Sequence, residues 1–135
     1  MKISSFWKNR ERKVVDPKLF SETAEKLAKE LKQDHDKNKK LNKRSQIRKF
    51  YDEIVKLNQL KTQQKDQQNW EYILPLLHML IPKAVYAQGR GLVSENFVDF
   101  IRSSVTQIKT PDDLSVFADF FEAFMGFYRY YMPSN

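Results

Sequence analysis

Apolar side chains recur at intervals of three and four residues through the last part of this 135-residue chain. Because an α-helix has about 3.6 residues per turn, this spacing predicts one helix with a broad apolar face. Thr110-Pro111 supplies a capping residue and a proline at the first helical position, and Asp113 stands three residues after the cap. The apolar face consists of Leu114, Phe117, Phe120, Phe121, Phe124, Phe127, Tyr128 and Tyr131.

The same period occurs in four earlier segments, which short polar stretches separate. Three glycines are too few for a protein of many tight β-turns. The sequence therefore predicts an all-α fold, a compact bundle of about five helices. The first of the four earlier helices begins at Asp16-Pro17. The second runs from about Ser45 to Gln63, the third from Trp70 to Gln88, and the fourth from Ser94 to about Lys109.

Two of these helices carry further expectations. The first has a narrow apolar stripe and precedes a polar linker, Asp34 to Lys43, so it is a candidate to pack on a neighbouring copy of the chain. The third is the most apolar segment and is therefore expected at the centre of the bundle. We also expect a kink or a split at Pro82, because proline inside a helix removes a hydrogen bond.

The N-terminal residues differ from the rest of the chain. Residues 1–16 have no clean period and hold five basic side chains against two acidic ones. We interpret them as a basic arm, whose mobility the sequence leaves open, and residues 17–135 as a single helical-bundle domain. The longest uncharged run is far shorter than the roughly 20 apolar residues that span a bilayer. We therefore expect no membrane partner and, with no cysteine in the chain, a cytoplasmic location.

The net charge of +7 is unevenly distributed. Residues 35–65 hold ten basic and three acidic side chains, whereas residues 94–135 hold three basic and six acidic ones. A cluster of one sign points to an anionic partner, of which nucleic acid is the commonest. An acidic protein surface and an anionic membrane are the alternatives.

Several basic residues suit phosphate oxygens. Arg44, Arg48 and Lys49 border the apolar side of the second helix, and Arg90 stands between two glycines. An arginine can bind two phosphate oxygens at once, whereas a lysine supplies a point charge. No set of polar residues is organised to read base edges, so we expect contact with the backbone, independent of sequence. We interpret the aromatic residues as core.

No pattern in the sequence predicts catalysis. The two histidines, His35 and His78, lack metal-ligand partners at suitable spacing. Asp52-Glu53 and Asp112-Asp113 are adjacent pairs, whose side chains point about 100° apart on a helix and do not converge on one substrate; the second pair is better explained by helix capping. We therefore expect no enzyme, no metal and no cofactor.

Four short motifs in order resemble one known family. The first motif is Gln46 to Tyr51. The second is Leu74 to Leu80, followed by Lys83, Tyr86-Ala87 and Gly89-Arg90. The third is Phe97 to Ile101, and the fourth is Phe117 to Ala123, followed by Tyr128. Their order and spacing resemble the small subunit of the type III-A CRISPR effector complex, the Csm small-subunit family, over about 90 residues. Gly91, Leu92 and Val93 depart from the family, where further basic residues would follow the Gly-Arg pair.

The resemblance implies a helical bundle without catalytic activity. Its partners would be guide RNA, target RNA, the backbone and large subunits of the effector, and further copies of itself. The family's basic positions fall here on Arg48, Lys49, Lys83 and Arg90. The alternative is a basic adaptor that docks an acidic partner without touching RNA. The complete set of candidate RNA-binding residues is Lys39, Lys40, Lys43, Arg44, Arg48, Lys49, Lys83 and Arg90.

Overall fold

Helices form most of the chain in the computed structural model, which describes residues 1–63 and 67–134. Lys65 of the basic stretch and Asn135 of the predicted domain lie outside these residues. Helices α3 and α4 together form the third predicted helix, so the prediction of an all-α bundle of about five helices is confirmed. A short two-stranded sheet was not predicted. In chain order the elements are β1 (Trp7–Asn9), β2 (Val14–Val15), a π-helical turn (Leu19–Thr23), α1 (Ala24–Lys37), α2 (Arg44–Gln63), α3 (Gln67–His78), α4 (Leu80–Gly89), α5 (Glu95–Val105) and α6 (Pro111–Tyr131).

Helix α6 lies at the centre of the bundle. It begins as predicted, because the Asp113 N–H donates to Thr110 Oγ1 at 3.3 Å and the Asp113 carboxylate accepts from the Thr110 N–H at 3.1 Å. Helix α6 packs mainly against α1 and α2, and the Phe100 ring of α5 lies 5.5–6.1 Å from four of its rings. The fully buried aromatic residues of α6 are Phe117, Phe120, Phe121, Phe124 and Tyr128.

The prediction that the third segment is the central helix is wrong. Helices α3 and α4 lie at the edge of the bundle, where Tyr72, Leu76 and Met79 are 70%, 48% and 50% exposed. Helix α6 carries more and bulkier rings on one face, so burying α6 removes more apolar surface from water. Among the described residues, no helix combines the length and the apolar character that a bilayer crossing requires.

The predicted interruption of this segment is confirmed as a break between α3 and α4 at Met79. Pro82 has no N–H to donate to the His78 carbonyl four residues earlier, and its ring clashes with that carbonyl. The chain stays close to helical there, since the Met79 N–H donates to the Pro75 carbonyl at 3.1 Å and the Lys83 N–H donates to the Met79 carbonyl at 3.2 Å. Lys83 is therefore held in the first turn of α4.

Helix α1 packs within its own chain, so the expectation that it packs on a neighbouring copy instead of its own bundle is wrong; contact between copies stays a prediction. Its apolar stripe faces α6, and Leu27 on this stripe is fully buried. The helix also extends into the predicted linker as far as Lys37, with an i,i+4 ion pair of 2.5 Å between Lys32 and Asp36 near its end. The loop between α1 and α2 therefore consists of residues 38–43.

Residues 1–16 lie against α5 and α6. Strands β1 and β2 pair antiparallel, and Phe6 is fully buried, with its ring stacked on Phe117 at 5.9 Å. The Ile3 N–H donates to Ser103 Oγ at 2.9 Å. The arm thus contributes side chains to the core of the bundle, while its mobility stays a prediction.

Asp113 joins this arm to the start of α6. Its carboxylate accepts hydrogen bonds from Trp7 Nε1 at 2.8 Å and from Arg10 Nη1 at 2.9 Å, in addition to the backbone N–H groups of Lys109 and Thr110. Burial by itself would raise the pKa of Asp113, but these hydrogen bonds and the Arg10 charge hold its pKa below the ordinary value. The capping role predicted for this residue is confirmed.

Candidate functional site

A groove between α2 and α4 brings together three of the predicted basic residues. Lys49 comes from α2, Lys83 from the first turn of α4, and Arg90 from the turn that ends α4. The groove has a volume of about 440 Å³. We call it the α2–α4 groove, and its lining residues are Gln46, Lys49, Phe50, Glu53, Leu80, Lys83, Tyr86, Ala87, Arg90 and Leu92.

The charges in this groove are available to a ligand. Lys49, Lys83 and Arg90 are exposed, and no carboxylate of the described residues forms an ion pair with any of them. Glu53 lies in the same lining, so the described lining carries three positive charges and one negative charge. Such a surface attracts anions.

Tyr86 stands among these cations, and no pattern in the sequence predicted a role for it. Its side chain is 68% exposed and lines the α2–α4 groove. The Arg90 guanidinium lies over its ring, 5.9 Å from the centroid. The available signal was its spacing, three residues after Lys83 and four before Arg90, which places the three side chains on one helix face.

Arg44 and Arg48 lie apart from these residues, in a second groove between α2 and α6. This α2–α6 groove has a volume of about 550 Å³. Arg44 Nη2 donates to the Pro133 carbonyl at 3.1 Å. The described lining carries three arginines and one glutamate, and its members are Arg44, Ser45, Arg48, Tyr51, Glu122, Met125, Gly126 and Arg129.

Two members of the second groove bear on its electrostatics. Arg129 was not predicted as a site residue, because it lies in the acidic C-terminal third of the sequence. Burial, reinforced by the negative charge of Glu122, raises the pKa of Tyr51. The described lining of the α2–α6 groove thus has the same balance of three positive charges and one negative charge as that of the α2–α4 groove.

The remaining candidates lie in the loop between α1 and α2. Lys39 Nζ lies 3.2 Å from Asp36 Oδ1, and hydrogen bonds from Lys32 and Lys39 lower the pKa of that carboxyl group. Lys40 and Lys43 are exposed. Two of the three loop lysines thus have no carboxylate partner among the described residues.

Asn42 fixes this loop, although one asparagine in a polar linker gave no signal in the sequence. It is fully buried with a φ of +60°, a conformation that asparagine tolerates better than most residues. Its side chain bonds the Leu31 carbonyl and both Oγ and N–H of Ser94, and its carbonyl accepts from the Tyr128 hydroxyl. Its own N–H donates to the Leu92 carbonyl at 2.9 Å, which attaches the loop to one end of the α2–α4 groove.

The histidines have no common site. His35 Nδ1 donates to the Leu41 carbonyl at 2.8 Å, and His78 is exposed at the end of α3. Within residues 1–63 and 67–134, no group of three or more histidine, aspartate or glutamate side chains could hold a metal ion.

One family profile matches this chain. It is described as Csm2 Type III-A and matches residues 15–134, a span that includes all the described helices and both grooves. Comparison with curated proteins and with solved structures found no match. The resemblance noted in the sequence is confirmed: the chain belongs to the Csm2 Type III-A family, the small subunit of the type III-A CRISPR effector complex.

Proposed function

We propose that this chain is a non-catalytic small subunit that binds the phosphate backbone of guide and target RNA in the α2–α4 groove. The observation that carries the proposal is the convergence of Lys49, Lys83 and Arg90, from two helices, on one groove. The three cations have no carboxylate partners among the described residues. Charge-assisted hydrogen bonds to phosphate oxygens would satisfy them.

The other predicted residues extend this contact. Lys40 and Lys43, with Lys39 beside them, would extend the contact, because the hydrogen bond from the Asn42 N–H to the Leu92 carbonyl attaches their loop to a residue of the groove lining. Arg44 and Arg48 supply a weaker contact in the α2–α6 groove, because Arg44 already donates a hydrogen bond to the Pro133 carbonyl.

Exposed apolar side chains support contacts with other subunits of the effector. The exposed fraction of Tyr72 is 70%, and those of Leu76 and Met79 are 48% and 50%. Exposed apolar surface of this kind is typical of protein interfaces. We propose that backbone subunits or further copies of this chain pack against α3, so that the subunit lies along the filament that the backbone subunits of the effector complex form.

Salt dependence and sequence tolerance test the RNA contact. Fluorescence anisotropy would measure the affinity of the isolated chain for several unrelated single-stranded RNAs of equal length. We expect affinities within about twofold of one another, since phosphate contacts carry no sequence information. We also expect log K to fall with log salt at a slope of about −2 or steeper, as counterions are released from roughly three or more phosphates. Strong sequence preference or salt-insensitive binding would contradict the proposal.

The absence of catalysis is tested separately. End-labelled RNA incubated with the pure chain and Mg²⁺ or Mn²⁺ should remain intact, as judged on a denaturing gel. Cleavage that His78→Ala or Glu122→Gln abolishes would instead make the chain a nuclease.

The alternative function is a protein adaptor, and the α2–α6 groove is the observation that favours it. Its three arginines come from α2 and α6 and, with one glutamate beside them, leave a net positive lining that suits an acidic protein surface. Under this alternative, the isolated chain would not bind RNA, and Arg44→Ala with Arg48→Ala would abolish co-purification with an acidic subunit.

A further inference from the structure

We propose that Tyr86 is a stacking platform for one unpaired RNA base, so that the α2–α4 groove prefers strands with accessible bases to a continuous duplex. The inference rests on the proposed RNA contact of this groove and adds to it the class of RNA that fits best. It assigns a role to an aromatic side chain that its spacing in the sequence had suggested was part of the core.

The exposure of Tyr86 distinguishes it from the buried aromatic residues. It keeps 68% of its surface in water, whereas the rings of Phe97, Phe100 and Phe117 are fully buried. An exposed ring gains little from the hydrophobic effect where it stands, and a second planar group would cover it favourably.

The neighbours of Tyr86 select a nucleotide rather than any planar ligand. Lys83 and Arg90 lie on the same face of the helix, on either side of the ring, and Lys49 faces them across the groove. The Arg90 guanidinium lies 5.9 Å from the ring centroid. A base on the Tyr86 ring would therefore have cations close to its own phosphate and to the next one.

The apolar part of the lining suits the base as well. Phe50, Leu80 and Ala87 contribute apolar surface to the groove, and Gln46 offers an amide that can donate or accept a hydrogen bond. Base–aromatic stacking tolerates any base, because every base has a π-face. A stacking contact is thus compatible with binding that ignores sequence.

Pairing would determine which RNA can use this platform. In a continuous duplex both faces of each base are covered by its neighbours, and RNA-binding proteins stack aromatic side chains on bases that are unstacked. Tyr86 would therefore bind a single strand or an interruption of a guide–target duplex, while the three cations bind either form through phosphate.

The experiment compares two single strands of equal length and equal charge, and adds a duplex of the same length as a third ligand. The ligands are a single-stranded RNA, the same strand with abasic sites in place of its bases, and the fully paired duplex, each measured by anisotropy at one salt concentration. For the unmodified chain we expect the abasic strand to bind roughly five- to fiftyfold more weakly than the ordinary strand. We expect the affinity for the duplex, counted per binding site, to be close to that for the abasic strand.

Substitutions assign that difference to the ring. Tyr86→Phe should keep the preference for bases, and Tyr86→Leu should lose it while leaving the affinity for the abasic strand unchanged. Tyr72→Leu is the matched control, because Tyr72 is 70% exposed on α3 and does not line the groove; it should keep the preference. Circular dichroism checks that each variant is folded.

The outcomes separate this inference from the proposed function. Equal affinity of the unmodified chain for ordinary and abasic strands overturns the stacking role, as does a Tyr86→Leu variant that keeps the preference. Equal weakening for both strands would mean that Tyr86 only positions Arg90. If Lys49→Ala, Lys83→Ala and Arg90→Ala weaken both strands while Tyr86→Leu changes neither, the backbone contact stands and the stacking role falls. If no RNA binds at all, both fall.

Discussion

The two grooves lie on opposite flanks of α2, and each holds three basic side chains, yet those side chains have different surroundings. In the α2–α4 groove, Lys49, Lys83 and Arg90 stand beside an exposed tyrosine ring and an apolar floor. Each lining also holds one glutamate, Glu53 or Glu122, but in the α2–α6 groove Arg44 already donates to the Pro133 carbonyl. Equal numbers of basic residues therefore do not make equal sites.

The difference shows why a charge count along the sequence cannot locate a binding surface. Residues 35–65 supply basic side chains to both grooves, because successive positions of one helix point to different sides. The residues that complete each groove come from α4 or α6. Anion binding depends on what those partners add, whether further cations, carboxylates or a ring.

The largest expected effect comes from removing all three cations of the α2–α4 groove. Lys49→Ala, Lys83→Ala and Arg90→Ala together should weaken RNA binding by about a hundredfold, since each exposed ionic contact contributes about 1 kcal/mol. The salt slope should become less steep by about 2. The side chains are exposed, so the melting temperature should be nearly unchanged. An equal loss on removing Arg44 and Arg48 would break the comparison.

The next effect concerns stability and should leave both grooves unaffected. Asp113→Asn should lower the free energy of unfolding by about 2 kcal/mol, because buried donors lose a charged acceptor, while RNA affinity at neutral pH stays the same. The pKa of Asp113 is depressed in the folded state. Its stabilisation is therefore complete above the unfolded pKa of about 3.9 and is lost as the pH falls through the lower folded pKa.

Urea unfolding between pH 3 and pH 7 measures this contribution. The unmodified chain should lose more stability on acidification than Asp113→Asn does. Parallel pH profiles for the two proteins would show that the carboxylate is not stabilised in the folded state.

Removing the arginines of the α2–α6 groove should have a smaller effect on RNA. Arg44→Ala with Arg48→Ala should weaken binding to unrelated RNAs about fivefold, or about 1 kcal/mol, as expected for exposed charges that are partly compensated. Anisotropy with two unrelated sequences measures this. A loss confined to one sequence would contradict backbone contact at these residues.

The smallest effects come from the carboxylate in each groove. Glu53→Gln should strengthen RNA binding about two- to threefold, because it removes the negative charge next to the proposed phosphate site. Glu122→Gln should change it by less than about 1.5-fold, since the RNA contact there is weaker. The reverse order would move the principal RNA contact to the α2–α6 groove.

The sequence predicted the elements better than their arrangement. Periodicity and the Thr110–Asp113 cap identified α6 correctly, because both signals are local. The same reasoning placed the third segment at the centre, since apolar content does not reveal which helix has the bulkier buried face. The grouping of Lys49 with Lys83 and Arg90, and the loop fixed by Asn42, depend on contacts between distant segments that no local pattern records.

The most direct test of the central claim is to observe which residues respond to RNA. A ¹⁵N-labelled sample of this 16.1 kDa chain, titrated with single-stranded RNA, gives one backbone signal for each non-proline residue. We predict that the largest chemical-shift changes occur around Lys49, Lys83, Tyr86 and Arg90. Changes confined to the region of Arg44, Arg48 and Arg129, or no changes at all, would contradict the assignment of the α2–α4 groove as the RNA site.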